Sequence, residues 1–215
     1  MKIIDIKQYK GKTYCLSLEN GERLYVSEDL VFDYSLSTKK DYNEDFFEEI
    51  KQKHILSKAK KHALYSLGRK SYTYKELNNK LKELYGIDIA NEVCEYMCEL
   101  GYIDDESFAQ DYVHDAIYIK RWGIYKVRFE MQKKGFDKAV IDKVLSQYDS
   151  EDYEEQIFSI LQSRFYGKLD TPKEVQRAFG YFLRRGFNYS DVKRCIKSFI
   201  EENESDFEVE FDDEY

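Results

Sequence analysis

The sequence predicts a mainly α-helical protein: three tandem three-helix repeats in an elongated, curved array, preceded by a small β-hairpin or meander and followed by an acidic, disordered tail. Two features lead to this prediction. Apolar residues alternate up to about residue 27 and then recur with the period of a helix, which separates a strand-forming start from a helical body. Within that body a helix-glycine-helix pattern recurs, with its glycines at Gly86, Gly135 and Gly186.

Composition indicates a water-soluble protein of the cytoplasm. Of its 215 residues, 35% are charged and 42% hydrophobic, and no apolar run approaches the roughly 18 to 20 residues that a membrane-spanning helix needs. The first residues lack the apolar stretch of a secretory signal. The four cysteines are widely spaced except for Cys94 and Cys98. This spacing favours a reducing compartment. We therefore expect no membrane contact and a cytoplasmic location.

The net charge of −8 is concentrated at the carboxyl end. Segment 201–215 carries nine acids and no base, which leaves 34 bases against 33 acids in the rest of the chain. Such a tail, bounded as a segment at 203–215, is typical of a disordered, solubilising extension. A second interpretation stays open, in which the tail competes with DNA for basic faces of this chain or of a partner.

Segment 1–50 is predicted to hold a β-hairpin or meander and a connecting helix. Residues 2–9 and 13–19 alternate between apolar and polar types, and Asn20-Gly21 is a strong hairpin signal because both residues tolerate positive φ. Two or three short strands are not stable alone. We therefore expect them to pack on the helices that follow.

A short helix near 28–34 and a longer helix over 44–67 are predicted next. The longer stretch contains no glycine or proline and keeps an apolar stripe at helical spacing. Segment 51–75 carries eight Lys or Arg and no acid, so one face of this helix is cationic. A solvated face explains such a pattern more often than an anionic partner does, and the signal for a partner is weak.

The three repeats are predicted at 54–100, 101–148 and 150–202. Each ends in two helices joined across one of the recurring glycines, which adopts the left-handed helix-end conformation without steric cost. Because a three-helix unit buries little surface alone, we expect the units to stack into an extended array. Arrays of this kind serve binding more often than catalysis.

Helix starts recur in the repeats as well. Thr73 with Glu76 and Thr171 with Glu174 match the capping box, in which each side chain satisfies a free backbone amide of the other residue. Pro172 follows at the first helical position, where a missing amide costs nothing. Further helix caps are predicted at Asp104, Asp137 and Asn188.

Motifs for catalysis, cofactors or metals are not found in the sequence. It contains no phosphate-binding glycine loop, HExxH, nucleophile elbow or CxxC, and we expect neither an enzyme nor a cofactor. Cys94 and Cys98 could reach one metal from a helix face, but the second pair of ligands is missing, and small apolar residues on a half-buried helix explain them better. The acids at 104–106 are expected to cap a helix rather than bind a metal.

Basic residues are the candidate functional residues, because they recur at equivalent places around the second helix of each repeat. They can bind DNA or an acidic protein surface, and neighbouring aromatic residues suit both partners. The other interpretation, equally open, is that those at helix ends interact with the helix dipole. The candidates are Arg69, Lys70, Arg121, Lys126, Arg128, Lys133, Lys134, Arg184, Arg185, Lys193 and Arg194, with Lys120 beside Arg121.

Four segments of the chain resemble the RecX family of regulatory proteins. GYIDDESFA at 101–109 resembles the family's GYLDDxRFA element, and WGIYKVRFEMQKKGF at 122–136 resembles its G-x-x-x-I-x-x-E-L-x-x-K-G-I helix. FLRRGF at 182–187 is similar to its L-x-R-R-G-F element. LGRKS at 67–71, with the Glu-Leu pair that follows, is similar to its first-repeat R-x-R-S-x-x-E-L pattern. The resemblance covers about 54–200 in the family's order.

That resemblance implies a non-enzymatic modulator of the RecA recombinase. Family members are three-repeat helical proteins that lodge in the groove of the RecA filament on single-stranded DNA and suppress strand exchange and ATP hydrolysis. The expected partners are therefore the RecA filament and single-stranded DNA, and a monomer is the expected form. Ser107 stands where the family has arginine and Lys70 replaces another arginine, which leaves the detailed interface undetermined.

Two rival functions compete with this hypothesis. In the first, the second and third helices of each repeat bind naked DNA directly, in the manner of helix-turn-helix pairs, and affinity falls steeply with salt. In the second, the chain is a hydrolase, although no matched acid-base pair supports that reading. A comparison of binding to bare and recombinase-coated DNA separates the first rival from the family hypothesis.

Overall fold

The structure is a computed structural model that describes residues 1–148 and 150–203, without the side chains of 150–152. The acidic tail predicted at 203–215 therefore lies, after its first residue, outside the described residues. The chain divides into two compact units, Met1–Ile103 and a second that begins at Asp104. Each unit is described separately below.

A three-stranded antiparallel sheet opens the first unit, as predicted. It consists of β1 (Ile3–Lys10), β2 (Thr13–Leu18) and β3 (Arg23–Ser27), in that order across the sheet. The predicted hairpin turn is present, but only Gly21 has positive φ, at 88°, and Asn20 does not. The loop is one residue longer than a two-residue turn: Leu18 N donates to Glu22 O at 2.9 Å, and Asn20 Oδ1 accepts from Glu22 N at 3.0 Å. The extra residue places a single left-handed glycine at the end of the turn.

Helices α1 (Glu28–Asp33) and α2 (Glu44–Leu67) follow at the predicted positions. Asn43 caps α2, since its side chain accepts from the amide of Phe46. The amino-terminal part of α2 covers the sheet, which confirms that the strands pack on the helices after them. Their shared core comprises Ile3, Leu16, Leu18, Leu24, Val26, Leu36, Phe47 and Ile50.

The second half of α2 packs with α3 (Tyr74–Tyr85) and α4 (Ile87–Glu99) around a separate core. The predicted capping box of Thr73 and Glu76 is present in full. The predicted left-handed end at Gly86 is wrong. With φ 85° and ψ 167°, Gly86 both ends α3 and begins α4, so the backbone has no room for a full left-handed turn. The core residues are Ala59, Ala63, Leu77, Leu81, Ala90, Val93, Cys94, Met97 and Ile103.

The second unit is helical throughout its described part. Its helices are α5 (Asp105–His114), α6 (Ile124–Lys134), α7 (Lys138–Leu145), α8 (Ser150–Ile160), α9 (Pro172–Arg184) and α10 (Tyr189–Glu202). Helices α5 and α8 change character at their carboxyl ends. Five-residue π-helical turns, Asp115–Ile119 and Leu161–Phe165, extend α5 and α8. Each turn widens the last helical coil by one residue.

Helix boundaries in this unit largely follow the predicted caps. The side chains of Asp104, Asp137 and Asn188 accept from backbone amides at the starts of α5, α7 and α10. Thr171 caps α9 with Pro172 at its first position, but Thr171 Oγ1 also lies 2.8 Å from Glu174 Oε2. The second capping box therefore closes between side chains, not back onto the threonine amide. Gly135 has the predicted left-handed conformation, with φ 85° and ψ 20°.

One continuous core runs through the second unit. It joins residues of the predicted second and third repeats, from Ala109 on α5 to Ile200 on α10. Met131, Phe136, Phe182 and Phe187, which flank the two glycine turns, all belong to it. The division of the chain into three repeats stays a prediction, because two of the proposed units share this core.

Candidate partner-binding surfaces

Some of the predicted basic residues lie over aromatic rings, some bond carbonyl or carboxylate oxygens within the fold, and Arg185 does both. A ring face does not neutralise the charge of a lysine or arginine that lies over it, so this contact leaves the charge able to attract an external anion. Cations bonded to carbonyls or carboxylates have satisfied part of their charge internally. This distinction, which the sequence does not reveal, decides which of them suit a partner.

In the first unit, Arg69 and Lys70 lie beside two tyrosines at the end of α2. Arg69 Nη1 is 3.3 Å from Tyr65 Oη, and Lys70 Nζ is 4.2 Å from the ring centre of Tyr72. The chain leaves α2 after Leu67, which sets both cations in the exposed link before α3. They line a cavity of about 320 Å³, which we call the α2-α3 pocket, together with Tyr65, Ser66, Tyr72 and Lys80.

Lys80 is a cation of this pocket that the sequence prediction missed. It is half-buried on α3 and donates from Nζ to Ser66 Oγ at 2.9 Å, and its Nζ is 3.4 Å from Tyr72 Oη. Its position in the sequence, after two asparagines, gives no sign of a binding role. Only the packing of α3 against the end of α2 brings it to Arg69 and Lys70.

In the second unit, three lysines and three aromatic rings alternate along one surface, the cation-aromatic row. Lys126 Nζ and Lys120 Nζ lie 4.7 and 4.8 Å from the ring centre of Trp122, on α6 and after α5 respectively. Lys120 also lies 5.0 Å from the ring of Tyr112. Lys134 Nζ continues the series, at 5.7 Å from Tyr112 and 5.1 Å from Phe108. In order, the row is Lys126, Trp122, Lys120, Tyr112, Lys134 and Phe108.

The π-helical turn after α5 positions the middle of this row. Trp122 N donates to Ala116 O at 2.9 Å, which folds the chain back over the end of the turn. Arg121, one of the predicted candidates, has φ of 54° at this reversal, a conformation that L residues rarely adopt. The strained reversal turns Trp122 back toward Lys120 and Lys126. It is local backbone strain beside a candidate binding surface.

The adjacent arginines Arg184 and Arg185 have different surroundings. Arg185 is half-buried, and its Nη1 donates to the carbonyl oxygens of Lys120 at 2.6 Å and Arg121 at 3.1 Å. Its guanidinium also lies 5.0 Å from the ring of Tyr181, which Arg164 approaches at 4.9 Å. Arg184 is exposed. Of the two, Arg184 suits an external partner and Arg185 holds the chain reversal at the end of the π-helical turn.

The other predicted cations also differ in their surroundings. Arg128 pairs with Asp142, and Arg194 pairs with Glu154 and Asp191. The Arg128 guanidinium hydrogen-bonds the Asp142 carboxylate and holds its pKa below its ordinary value. Lys133 is exposed on α6, and Lys193 is half-buried on α10. The structure therefore does not gather all the candidates into one site.

Side chains able to hold a metal do not cluster in the described part of the chain, where no group of three His, Cys, Asp or Glu is in position to do so. Cys94 is buried in the core of α4, whereas Cys98, one turn later, is exposed. Burial raises the pKa of the Cys94 thiol to about 11. Within the described residues, no helix has the length and apolar character needed to span a membrane.

Comparison with known proteins finds relatives with a common description. A family model described as the second three-helix domain of RecX matches residues 104–145, the segment that holds the cation-aromatic row from Phe108 to Lys134. Regulatory protein RecX of Streptococcus pneumoniae serotype 19F (strain G54) is 29% identical over 195 residues, which cover 90% of this chain and 75% of the relative. RecX of S. pneumoniae strain ATCC BAA-255 / R6 has the same identity and coverage.

Solved structures have the same fold. A crystal structure of a regulatory protein RecX matches with a TM-score of 0.69 and 22% identity, over 91% of this chain and 98% of the other. RecX from Lactobacillus salivarius matches with a TM-score of 0.60 and 22% identity, over 67% of this chain and 96% of the other. The family model, the relatives and the shared fold agree with the four sequence segments noted above. These findings support assignment of the chain to the RecX family of regulatory proteins.

Proposed function

We propose that this protein binds the RecA recombinase filament on single-stranded DNA and inhibits its activity in recombination and repair. The observation that carries the proposal is the cation-aromatic row, which lies on the segment that matches the RecX family model. Lys120, Lys126 and Lys134 occupy it. A regulatory role follows from the family, and the row is a surface with the chemistry for it.

The row is suited to a filament because such a partner offers two kinds of negative charge, the acidic side chains of the protein and the phosphates of the DNA. Lysines held over rings lose less side-chain freedom on binding than free lysines do. The rings add flat contact area next to each charge, which is typical of binding hot spots. Occupying the filament would block its motion without any reaction.

In this proposal the protein is a cytoplasmic monomer. It inhibits by remaining bound to the filament and not by catalysing a reaction. Inhibition should then depend on the ratio of this protein to recombinase protomers. A catalytic regulator would instead inhibit at far lower ratios, given time. Titration of recombinase ATP hydrolysis at several incubation times separates the two.

The test compares inhibition of ATP hydrolysis by the wild-type protein and by the row variant Lys120→Ala/Lys126→Ala/Lys134→Ala. We expect the row variant to need at least about tenfold more protein for half inhibition, since each lost charged contact costs on the order of 1 kcal/mol. The matched control, Lys138→Ala/Lys173→Ala/Lys197→Ala, removes the same charge from exposed positions of the same unit. Equal effects of the two variants would refute a role for the row.

A second candidate function is direct binding of nucleic acid, which the α2-α3 pocket favours because tyrosine faces and three cations meet there. Fluorescence anisotropy with bare single-stranded DNA and with recombinase-coated DNA, each at low and moderate salt, discriminates the two. Tight binding to bare DNA with a steep loss in salt would support this second function. Binding that requires the recombinase supports the first.

A further inference from the structure

The first unit contains a cavity between its sheet and helix α2 that neither proposed function uses. The cavity measures about 370 Å³ and is lined by residues of β1, β2, β3 and α2. Sites for small molecules commonly have volumes of a few hundred Å³. The strands that form one wall lie outside the segment matched by the family model, 104–145.

Four lysines make this cavity strongly cationic. Lys10 and Lys12 come from the first hairpin, and Lys58 and Lys61 come from one face of α2. Lys12 and Lys61 each have a carboxylate within reach, Glu28 at 3.8 Å and Asp29 at 3.7 Å. Lys10 and Lys58 form no ion pair within residues 1–148 and 150–203. At least two positive charges are therefore left for a ligand.

Two tyrosines supply an aromatic wall beside the lysines. Tyr9 and Tyr25 meet edge to face with ring centres 4.8 Å apart, and both line the cavity. They remain 65% and 39% exposed, although both neighbours of Tyr25 in β3, Leu24 and Val26, are buried. An exposed ring face next to cationic side chains is the pattern with which proteins stack a base and bind its phosphate.

Two polar atoms at the cavity lack partners. Ser27 Oγ and His54 Nδ1 are buried, and neither finds a hydrogen-bond partner in the described part of the chain. Leaving such atoms unsatisfied costs free energy, which a polar ligand or an ordered water can recover. Burial and the charges of Lys58 and Lys61 lower the pKa of His54. Negative charge in the cavity would oppose that effect.

We propose that this cavity binds a nucleoside phosphate, with the base against Tyr9 and Tyr25 and the phosphate between Lys10 and Lys58. Inorganic phosphate alone would leave the aromatic wall and much of the volume unused. A nucleoside alone would leave the lysines unneutralised. The ligand can be a free nucleotide or one nucleotide of a single-stranded DNA segment, since both present the same base and phosphate.

Calorimetric titration of the full chain tests this assignment. The probes are thymidine 5′-monophosphate, thymidine, inorganic phosphate and a short oligothymidylate, at low salt. We expect the monophosphate or the oligothymidylate to bind at least about tenfold more tightly than thymidine or phosphate. Only the monophosphate and the oligothymidylate contact both the tyrosines and the lysines. Tighter binding of the monophosphate per site would identify the ligand as a free nucleotide. Tighter binding of the oligothymidylate would identify it as single-stranded DNA.

Variants assign the binding to the cavity. Lys10→Ala/Lys58→Ala should weaken nucleotide binding at least about tenfold. Tyr9→Leu should also weaken nucleotide binding, because leucine keeps an apolar side chain but removes the aromatic ring. The control Lys39→Ala/Lys75→Ala removes two exposed lysines of the same unit and should change affinity less than about twofold. Ring signals of His54 should shift in the NMR spectrum as the ligand is added.

The outcomes that overturn the assignment are distinct. Equal loss in the cavity variant and in the control would mean non-specific attraction to a basic surface. Phosphate binding as tightly as the nucleotide would exclude base recognition, and unchanged His54 signals would place the ligand elsewhere. No recombinase is present in these titrations, so their result does not depend on the filament-binding function proposed above. The variant Lys10→Ala/Lys58→Ala separates oligothymidylate binding in this cavity from binding at the α2-α3 pocket.

Discussion

Gly123 and Gly186 touch through their backbones, and this contact joins the start of α6 to the turn between α9 and α10. Gly123 N donates to Arg185 O at 2.8 Å, and Tyr125 N donates to Gly186 O at 3.0 Å. A Cβ on Gly123 would lie 2.3 Å from Gly186 O, and one on Gly186 would lie 2.3 Å from Lys126 N. Neither position can hold a side chain without displacing backbone. The contact brings the FLRRGF segment beside the cation-aromatic row.

Substitution of Gly123 should therefore destabilise the second unit. We expect Gly123→Ala to lower the free energy of unfolding by about 2 kcal/mol or more, since the added methyl meets backbone atoms that cannot move aside cheaply. Thermal unfolding followed by circular dichroism measures the change. Gly180→Ala is the matched control, because its nearest neighbour is the flexible end of Arg184, at 3.1 Å, and alanine favours helix α9. If both variants unfold at the same temperature as the wild type, the Gly123–Gly186 contact does not contribute to stability.

Substitutions of Arg184 and Arg185 should have different effects, one on inhibition of the recombinase and the other on the stability of the fold. Arg185→Ala removes a guanidinium that donates to two carbonyl oxygens, and we expect it to cost about 1–3 kcal/mol of stability. Arg184→Ala leaves these bonds intact and should change stability by less than about 0.5 kcal/mol while weakening inhibition of the recombinase. Urea unfolding and ATPase inhibition are measured on the same preparations. The reverse pattern would refute these assignments.

The Arg128–Asp142 pair should depend on pH in a defined direction. Hydrogen bonding to Arg128 lowers the pKa of Asp142 from its ordinary value of 3.8. Because the folded pKa lies below the unfolded one, the pair stabilises the fold above pH 3.8, and this contribution is lost as the pH falls through the folded pKa. NMR titration of the Asp142 carboxyl should show its pKa rising toward 3.8 in Arg128→Gln. An unchanged pKa would show that the pair does not form in solution.

Thiol reactivity should report on two of the three cores, those that contain Cys94 and Cys195. Burial raises the pKa of Cys94 to about 11 and that of Cys195 to about 12, so neither forms much thiolate near pH 8. With a disulfide reagent at that pH, the exposed Cys98 should react first and the half-buried Cys15 more slowly. Cys94 and Cys195 should react only after unfolding. Cys98→Ser must remove the fast phase, and rapid labelling of four thiols in the native protein would contradict the packing.

Local signals in the sequence were sufficient for most of the secondary structure. The α2 boundaries, the caps at Asp104, Asp137 and Asn188, and Pro172 at the start of α9 were all predicted correctly, because capping and periodicity act within one turn of helix. The π-helical turns were missed, since a one-residue insertion in a helix barely alters its apolar period. Gly86 was misassigned because its ψ angle depends on how closely α4 follows α3.

The candidate surfaces show where local signals stop. The sequence identified the basic residues and, through its resemblance to a known family, the type of regulator to which they belong. Which cations are bonded within the fold depends on contacts between residues far apart in the chain. Arg185 lies 64 residues from Arg121, whose carbonyl oxygen it bonds, and Lys80 reaches the α2-α3 pocket only because α3 packs on α2. Helix type and position arise from interactions within a few residues, whereas the availability of a charge depends on every element that packs beside it.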